Sequence, residues 1–144
     1  QDDTLLAGSI ADNICFFDSQ PNYLKIEQCA HLAAIHDDIN QMTMGYNSLV
    51  GDMGSNLSGG QIQRLLLARA LYQAPCVLFM DEATCHLDKD NEAKISDQIQ
   101  HFSMTRIIIA HRQETIEMAE HVFSLENGVL ETVDDECSQE ANLR

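Results

Sequence analysis

Hydrophobic and polar positions divide the chain into segments of different period. A short helical turn is predicted around Ile10 to Phe16. The turn signals Gly8-Ser9 and Pro21-Asn22 bracket it. Over residues 23–40 the apolar positions Ile26, Cys29, Ala30 and Ala33 recur at i, i+3, i+4 and i+7, which predicts one amphipathic helix. Residues 41–57 carry Gly45, Gly51 and Gly54 among polar residues and read as a long surface loop, the kind of segment that often holds function. From Ser58 to Tyr72 the apolar residues Ile62, Leu65, Leu66, Leu67, Ala68 and Leu71 run most of the way round a second helix, which should be well buried. Ala74-Pro75 ends it, because a residue before proline avoids the helical region.

The period then changes. Cys76 to Met80 is a continuous apolar run, as expected of a strand covered on both faces of a parallel sheet. Asp88 is placed to cap a helix over about 89–102, with Ile95, Ile99 and Phe102 on one side. Arg106 to Ala110 reads as a second buried strand. Strand, helix, strand is a βαβ unit with parallel strands and a right-handed crossover. A short helix near 113–119 follows. Segments 121–125 and 129–132 then flank Asn127-Gly128, a strong two-residue hairpin signal. Residues 134–144 read as a frayed tail.

Composition narrows the function. Eight Lys and Arg against 23 Asp and Glu give a net charge of −15, which argues against a nucleic-acid partner, since phosphate-backbone affinity rests on basic side chains. Five cysteines without a CxxC pair point to free thiols in a reducing compartment and not to a disulfide framework or a zinc site. The acidic cluster Asp134-Asp135-Glu136 reads as solvated surface. No apolar run is long enough for a membrane span, and no secretory leader opens the chain. A start at Gln1 without an initiator Met suggests a piece of something longer.

Two places carry chemistry. The first apolar strand runs into Asp81-Glu82 and the second into His111. In a parallel pair these residues meet at the carboxyl edge, where open α/β sheets bind ligands. Adjacent carboxylates there suit a water-bound Mg2+ and a base, and a histidine suits a terminal phosphate; a strand-end turn with a satisfied histidine fits the same residues. The second place is Leu57-Ser58-Gly59-Gly60-Gln61, just before the long helix. Glycines admit close backbone approach, and a helix start presents unpaired N–H groups to an anion. A plain serine cap fits equally well.

Leu57-Ser58-Gly59-Gly60-Gln61 resembles, letter for letter, the signature motif of ABC ATPases, and the rest follows in that family's order. Val77 to Thr84 resembles a Walker B strand with its catalytic glutamate. Cys85-His86-Leu87-Asp88 resembles the D-loop, Ile108 to Arg112 the switch-histidine segment, and Ser48 to Gly54 the loop ahead of the signature in exporters. Gln1 falls where the Q-loop glutamine belongs. The resemblance covers about residues 1–133 and is nearest to the peptidase-containing bacterial exporters of bacteriocins such as colicin V.

That resemblance implies an α/β fold of the P-loop NTPase type: a partial ABC domain with parallel core strands, flanking helices, a helical subdomain with its pre-signature loop over about 10–57, and a catalytic remainder over 58–133 ending in a β-hairpin. It implies ATP and Mg2+ as ligands. Asp81 and Gln1 would hold the metal's shell. Glu82 would polarise the attacking water, His111 would contact the γ-phosphate, and Gln1 would couple the nucleotide to the membrane domain. Ser58, Gly59, Gly60 and Gln61 would face ATP held by an opposite subunit, and Asp88 would bridge the two. The implied partners are a second ATP-binding domain and an exporter's transmembrane domain, at the cytoplasmic face of a bacterial inner membrane.

Two departures qualify this. Cys85-His86 stands where small residues are usual in the D-loop. No Lys is followed by Ser or Thr, so the phosphate-gripping loop is not in this sequence, and the 144 residues alone are expected to hydrolyse ATP poorly. A soluble ABC ATPase without a transport role and an inert truncated fragment are the alternative readings.

Overall fold

The computed structural model describes residues 4–50, 57–81, 95, 104–110, 113–117 and 119–133. The chain divides into two compact units, residues 1–108 and 109–144.

The first unit begins with strand β1 (Gly8–Ser9) and helix α1 (Ile10–Cys15). Ser9 starts the helix with a reciprocal cap. Its hydroxyl accepts the Asp12 amide at 3.0 Å, and the Asp12 carboxylate accepts the Ser9 amide at 2.9 Å and the Ser9 hydroxyl at 2.6 Å. Those bonds, the hydroxyl's first and the amide's second, hold the Asp12 carboxyl below its ordinary 3.8. A depressed carboxyl adds stability that is present above 3.8 and is lost as pH falls through its folded value. Ser9→Ala is therefore expected to cost about 1 kcal/mol at neutral pH. Urea midpoints should show the gap between variant and wild type narrowing in acid.

The single helix expected over 23–40 is two. Helix α2 (Tyr23–Leu32) stops, and helix α3 (His36–Gln41) restarts after a break. Ala34 sits at φ +52 and forms the left-handed step of a helix stop. The Ala34 amide donates to the His31 carbonyl at 2.9 Å and the Ile35 amide to the Ala30 carbonyl at 2.9 Å. The break lets Ile35 and Ile39 turn into the core, where both are fully buried. Amphipathic spacing alone does not register such a stop when alanine, not glycine, takes the left-handed position.

The loop expected over 41–57 contains a 3-10 turn (Gly45–Asn47) and strand β2 (Leu49–Val50), which pairs antiparallel with β1. Helix α4 (Gly59–Tyr72) then crosses the unit. Ile10, Ile14, Ile26, Ile35, Ile39 and Leu65 are at most 1% exposed and form one core with Ala30, Ala33 and Ala68. Each such aliphatic side chain contributes about 1.5–3 kcal/mol over its exposed state. Helix α4 is less buried than its composition suggests: Ile62, Leu66 and Leu67 are half-buried, and the closed side is Leu65, Ala68, Leu71 and Tyr72.

Asn13 and Arg69 tie α4 to α1. Asn13, 1% exposed, accepts the Leu6 amide at 2.8 Å and the Arg69 guanidinium at 2.7 Å through Oδ1. Its Nδ2 donates to the Leu6 and Ser9 carbonyls, both at 2.9 Å. Arg69 Nε also donates to the Asn13 carbonyl at 2.9 Å. At the other end of α4 the Tyr72 hydroxyl accepts the Asn22 amide at 3.1 Å and donates to Asp18 at 3.3 Å.

Strands β3 (Val77–Asp81) and β4 (Thr105–Ile109) pair in a two-stranded sheet. The Thr105 amide donates to the Cys76 carbonyl at 3.0 Å, so the two strands start side by side, the arrangement of a parallel pair. Burial on both faces, expected from the apolar runs, is not found. Leu78 is 6% exposed, but Phe79 is 72% exposed, and Val77, Ile107, Ile108 and Ile109 are exposed as well. Among the described residues this sheet has no third strand. Of the helix expected over 89–102, Ile95 alone is described; it is helical and buried.

In the second unit, helix α5 (Gln113–Glu117) precedes an antiparallel hairpin of β5 (Phe123–Glu126) and β6 (Val129–Thr132). Asn127 and Gly128 both take positive φ, +50 and +81, as the tight hairpin turn requires. The tail expected over 134–144 lies outside the described residues. No described helix is long and apolar enough to cross a membrane.

Candidate functional site

The tip of α4 is the part of the expected site that the described residues contain. Ser58 caps the helix in the extended conformation. Its hydroxyl accepts the Gln61 amide at 3.2 Å, and the Gln61 side-chain carbonyl accepts the Ser58 amide at 3.0 Å. That closes two of the donors that a helix start leaves open. The Gly59 and Gly60 amides, as the first in the helix, lie ahead of the intrahelical ladder and have no acceptor among the described residues. Ser58 and Gly59 are exposed, so these amides and the positive end of a 14-residue helix are presented at the surface. The Ser58 hydroxyl oxygen serves the cap, and its hydrogen has no acceptor among the described residues.

Two residues that sequence reasoning passed over hold this tip in place. Gln61 Nε2 donates to Asp38 Oδ1 at 2.9 Å. Arg64 Nη1 pairs with Asp38 Oδ2 at 2.8 Å and also donates to the Ala34 carbonyl, while Arg64 Nε donates to the Gly60 carbonyl at 3.3 Å. Arg64 is buried, so its charge is answered almost entirely by Asp38 and those two carbonyls. One signal was available: Arg64 is a charge on the closing side of an apolar helix, three residues after Gln61, and such a charge needs a partner.

The remaining expected residues divide as follows. Asp81 is the last residue of β3, described by its backbone alone. Gln1, Glu82, Asp88 and His111 lie outside the described residues, as do Cys85-His86 and the Gly51 to Asn56 part of the pre-signature loop. The structure therefore brings together Ser58, Gly59, Gly60 and Gln61 at one helix start, backed by Asp38 and Arg64.

Cys15, Cys29 and Cys76 are free thiols, the first two buried. Burial pushes the Cys29 thiol up, against a smaller opposing pull from Lys25. The shift disfavours the reactive thiolate form.

Comparison with known proteins bears on the same residues. The model of the family described as ABC transporter matches residues 1–85. The chain is 46% identical over 125 residues to the probable microcin-H47 secretion/processing ATP-binding protein MchF of Escherichia coli, covering 87% of this chain and 18% of that protein. It is equally similar, at 46% over 125 residues with the same coverage, to the colicin V secretion/processing ATP-binding protein CvaB of Escherichia coli. Among solved structures, a bacterial Atm1-family ABC exporter with ATP bound superposes with a TM-score of 0.81 at 36% identity, over 89% of this chain and 23% of that one. The chain thus spans about a fifth of the length of these relatives.

Proposed function

Because the chain belongs to the ABC transporter family, we propose that it is part of the ATP-binding and ATP-hydrolysing domain of an exporter, and that the α4 tip receives the γ-phosphate of ATP gripped by a second copy of the domain. The observation that carries this is the helix start at Ser58, Gly59 and Gly60, exposed at Ser58 and Gly59, whose glycine amides and serine hydroxyl hydrogen have no acceptor among the described residues. An anion of phosphate geometry fits that donor set, and no acidic side chain of the α4 first turn opposes it.

The other roles follow the family pattern. Asp81 and Gln1 offer oxygen donors, which suit Mg2+, a hard cation held through water. Mg2+ when bound supplies charge neutralisation of the phosphates. Glu82 orients and polarises the attacking water, His111 contacts the γ-phosphate, and Asp88 reaches across to the partner domain. The start-to-start pairing of β3 and β4 supports a shared edge for the residues that follow the two strands. A transmembrane domain receives the motion at a membrane's cytoplasmic face, and the cargo is a secreted peptide of the bacteriocin kind; the microcin and colicin V relatives support that cargo.

Ser58→Asp separates the cap from the phosphate contact. Aspartate caps a helix as well as serine does, so the fold is expected to stand. Its negative charge, however, opposes a phosphate at the amides. In the full-length transporter, ATPase activity is expected to fall by about tenfold to 100-fold. A Ser58→Asp protein with wild-type turnover would remove the reading.

A further inference from the structure

A second cluster lies apart from the α4 tip, where α2 meets α3. Glu27 and His31 stand four residues apart on α2, and so rise on the same side of the helix. The stop at Ala34 turns the chain and brings His36, the first residue of α3, back over them. One donor atom from each of these three residues lies within 4.8 Å of the other two. The His31 and His36 rings are stacked, with centroids 3.6 Å apart and planes 23° from parallel. Around a tetrahedral zinc, with bonds of about 2.0–2.2 Å, neighbouring donor atoms sit about 3.4 Å apart. Closing that difference requires the two stacked rings to fan open at one edge.

The surroundings of His36 are those of a held ligand. Its Nδ1 lies 2.8 Å from the Tyr46 hydroxyl, and its Nε2 lies 2.7 Å from Asn40 Nδ2. The Tyr46 hydroxyl is placed to accept a hydrogen bond from the His36 Nδ1. An Nδ1–H given to Tyr46 fixes the ring and leaves Nε2 as the metal-facing nitrogen; metal-bound histidines are oriented in this way. Asn40 is exposed, and its amide turns aside from Nε2 when a metal binds there.

We propose that Glu27, His31 and His36 form a binding site for a first-row divalent metal of the zinc type, clipping α2 to α3. Two imidazoles and one carboxylate are borderline donors that select zinc, cobalt or nickel over Mg2+ or Ca2+. Three protein ligands leave a fourth position for water. The site owes nothing to the nucleotide residues, and the net charge of −15 favours cation capture.

Titration of the full chain with cobalt(II), followed by zinc(II) displacement, tests this. One-to-one binding is expected, without the near-ultraviolet band that a cysteine thiolate gives on cobalt. The metal should also raise the thermal midpoint, because the clip joins two helices. His31→Ala and Glu27→Gln remove exposed ligands without touching the core, and each is expected to weaken binding at least roughly tenfold, with Tyr46→Phe weakening it by about 10- to 100-fold through loss of the orienting hydroxyl. An absence of binding, a thiolate band, or unchanged affinity in either His31→Ala or Glu27→Gln overturns the site.

Discussion

Asp38→Ala is expected to destabilise the helical unit by about 3 kcal/mol, toward the lower end of what removing one partner of a buried ion pair costs. Two groups lose their acceptor or counter-charge at once. Arg64 is buried and keeps its charge, and Gln61 loses the acceptor for its amide nitrogen. The lower end applies because the Asp38 side chain is 31% exposed, so water reaches part of the space it leaves. A companion variant isolates the cause. Arg64→Met in the Asp38→Ala background removes the stranded charge and keeps the volume, and a large part of the loss should return. Urea midpoints of the two single variants and the double variant close the cycle. If Asp38→Ala costs no more than a surface substitution, the pair is solvated and the α4 tip is not anchored through it.

Asn13→Ala is expected to cost a similar amount, about 3 kcal/mol, by a different route. The side chain is 1% exposed and completes four hydrogen bonds, to Leu6 twice, to Ser9 and to Arg69. Truncation removes these four bonds together, at about 0.5–1.5 kcal/mol each, while Arg69 keeps the Asn13 and Thr4 carbonyls. The Leu6 groups are better placed to find water, because Leu6 is exposed. Asn13→Asp makes the informative contrast. It keeps the acceptor for Arg69 but turns the donor toward Leu6 and Ser9 into a second acceptor, so it too should lose stability. Equilibrium unfolding of both variants reads the effect, and an Asn13→Ala chain as stable as wild type would mean that the hub carries no net weight.

Much of the architecture was legible from residue order. Ser58 and Ala74-Pro75 mark the ends of α4, and Asn127-Gly128 marks the hairpin turn, because each rests on local backbone chemistry that acts wherever the chain goes. The break in 23–40 was not legible. Its cause is tertiary: Ile35 and Ile39 reach the core only if Ala34 takes a conformation its own side chain disfavours. Exposure of the strands was misjudged for a related reason. An apolar run such as Cys76 to Met80 states what the strand would bury against, but not whether that cover lies within the same stretch of chain.

The α4 tip shows the same division. Its donors are written in Leu57 to Gln61, but the residues that fix their direction, Asp38 and Arg64, are 26 positions apart and carry no shared motif. The metal cluster is likewise split by a turn, with Glu27 and His31 on one helix and His36 on the next.

Phe79, Ile107, Ile108 and Ile109, set along a two-stranded sheet, have a consequence for how molecules of this chain behave in numbers. Oily strands with no further strand beside them among the described residues invite stacking of one molecule on the next. Here the surplus of 15 negative charges pushes neighbours apart before such strands meet. That repulsion reaches only about 8 Å at physiological ionic strength and about 3 Å in molar salt. Colloidal behaviour is thus set by a contest between greasy ribbon and ionic halo, and added salt weakens the halo alone.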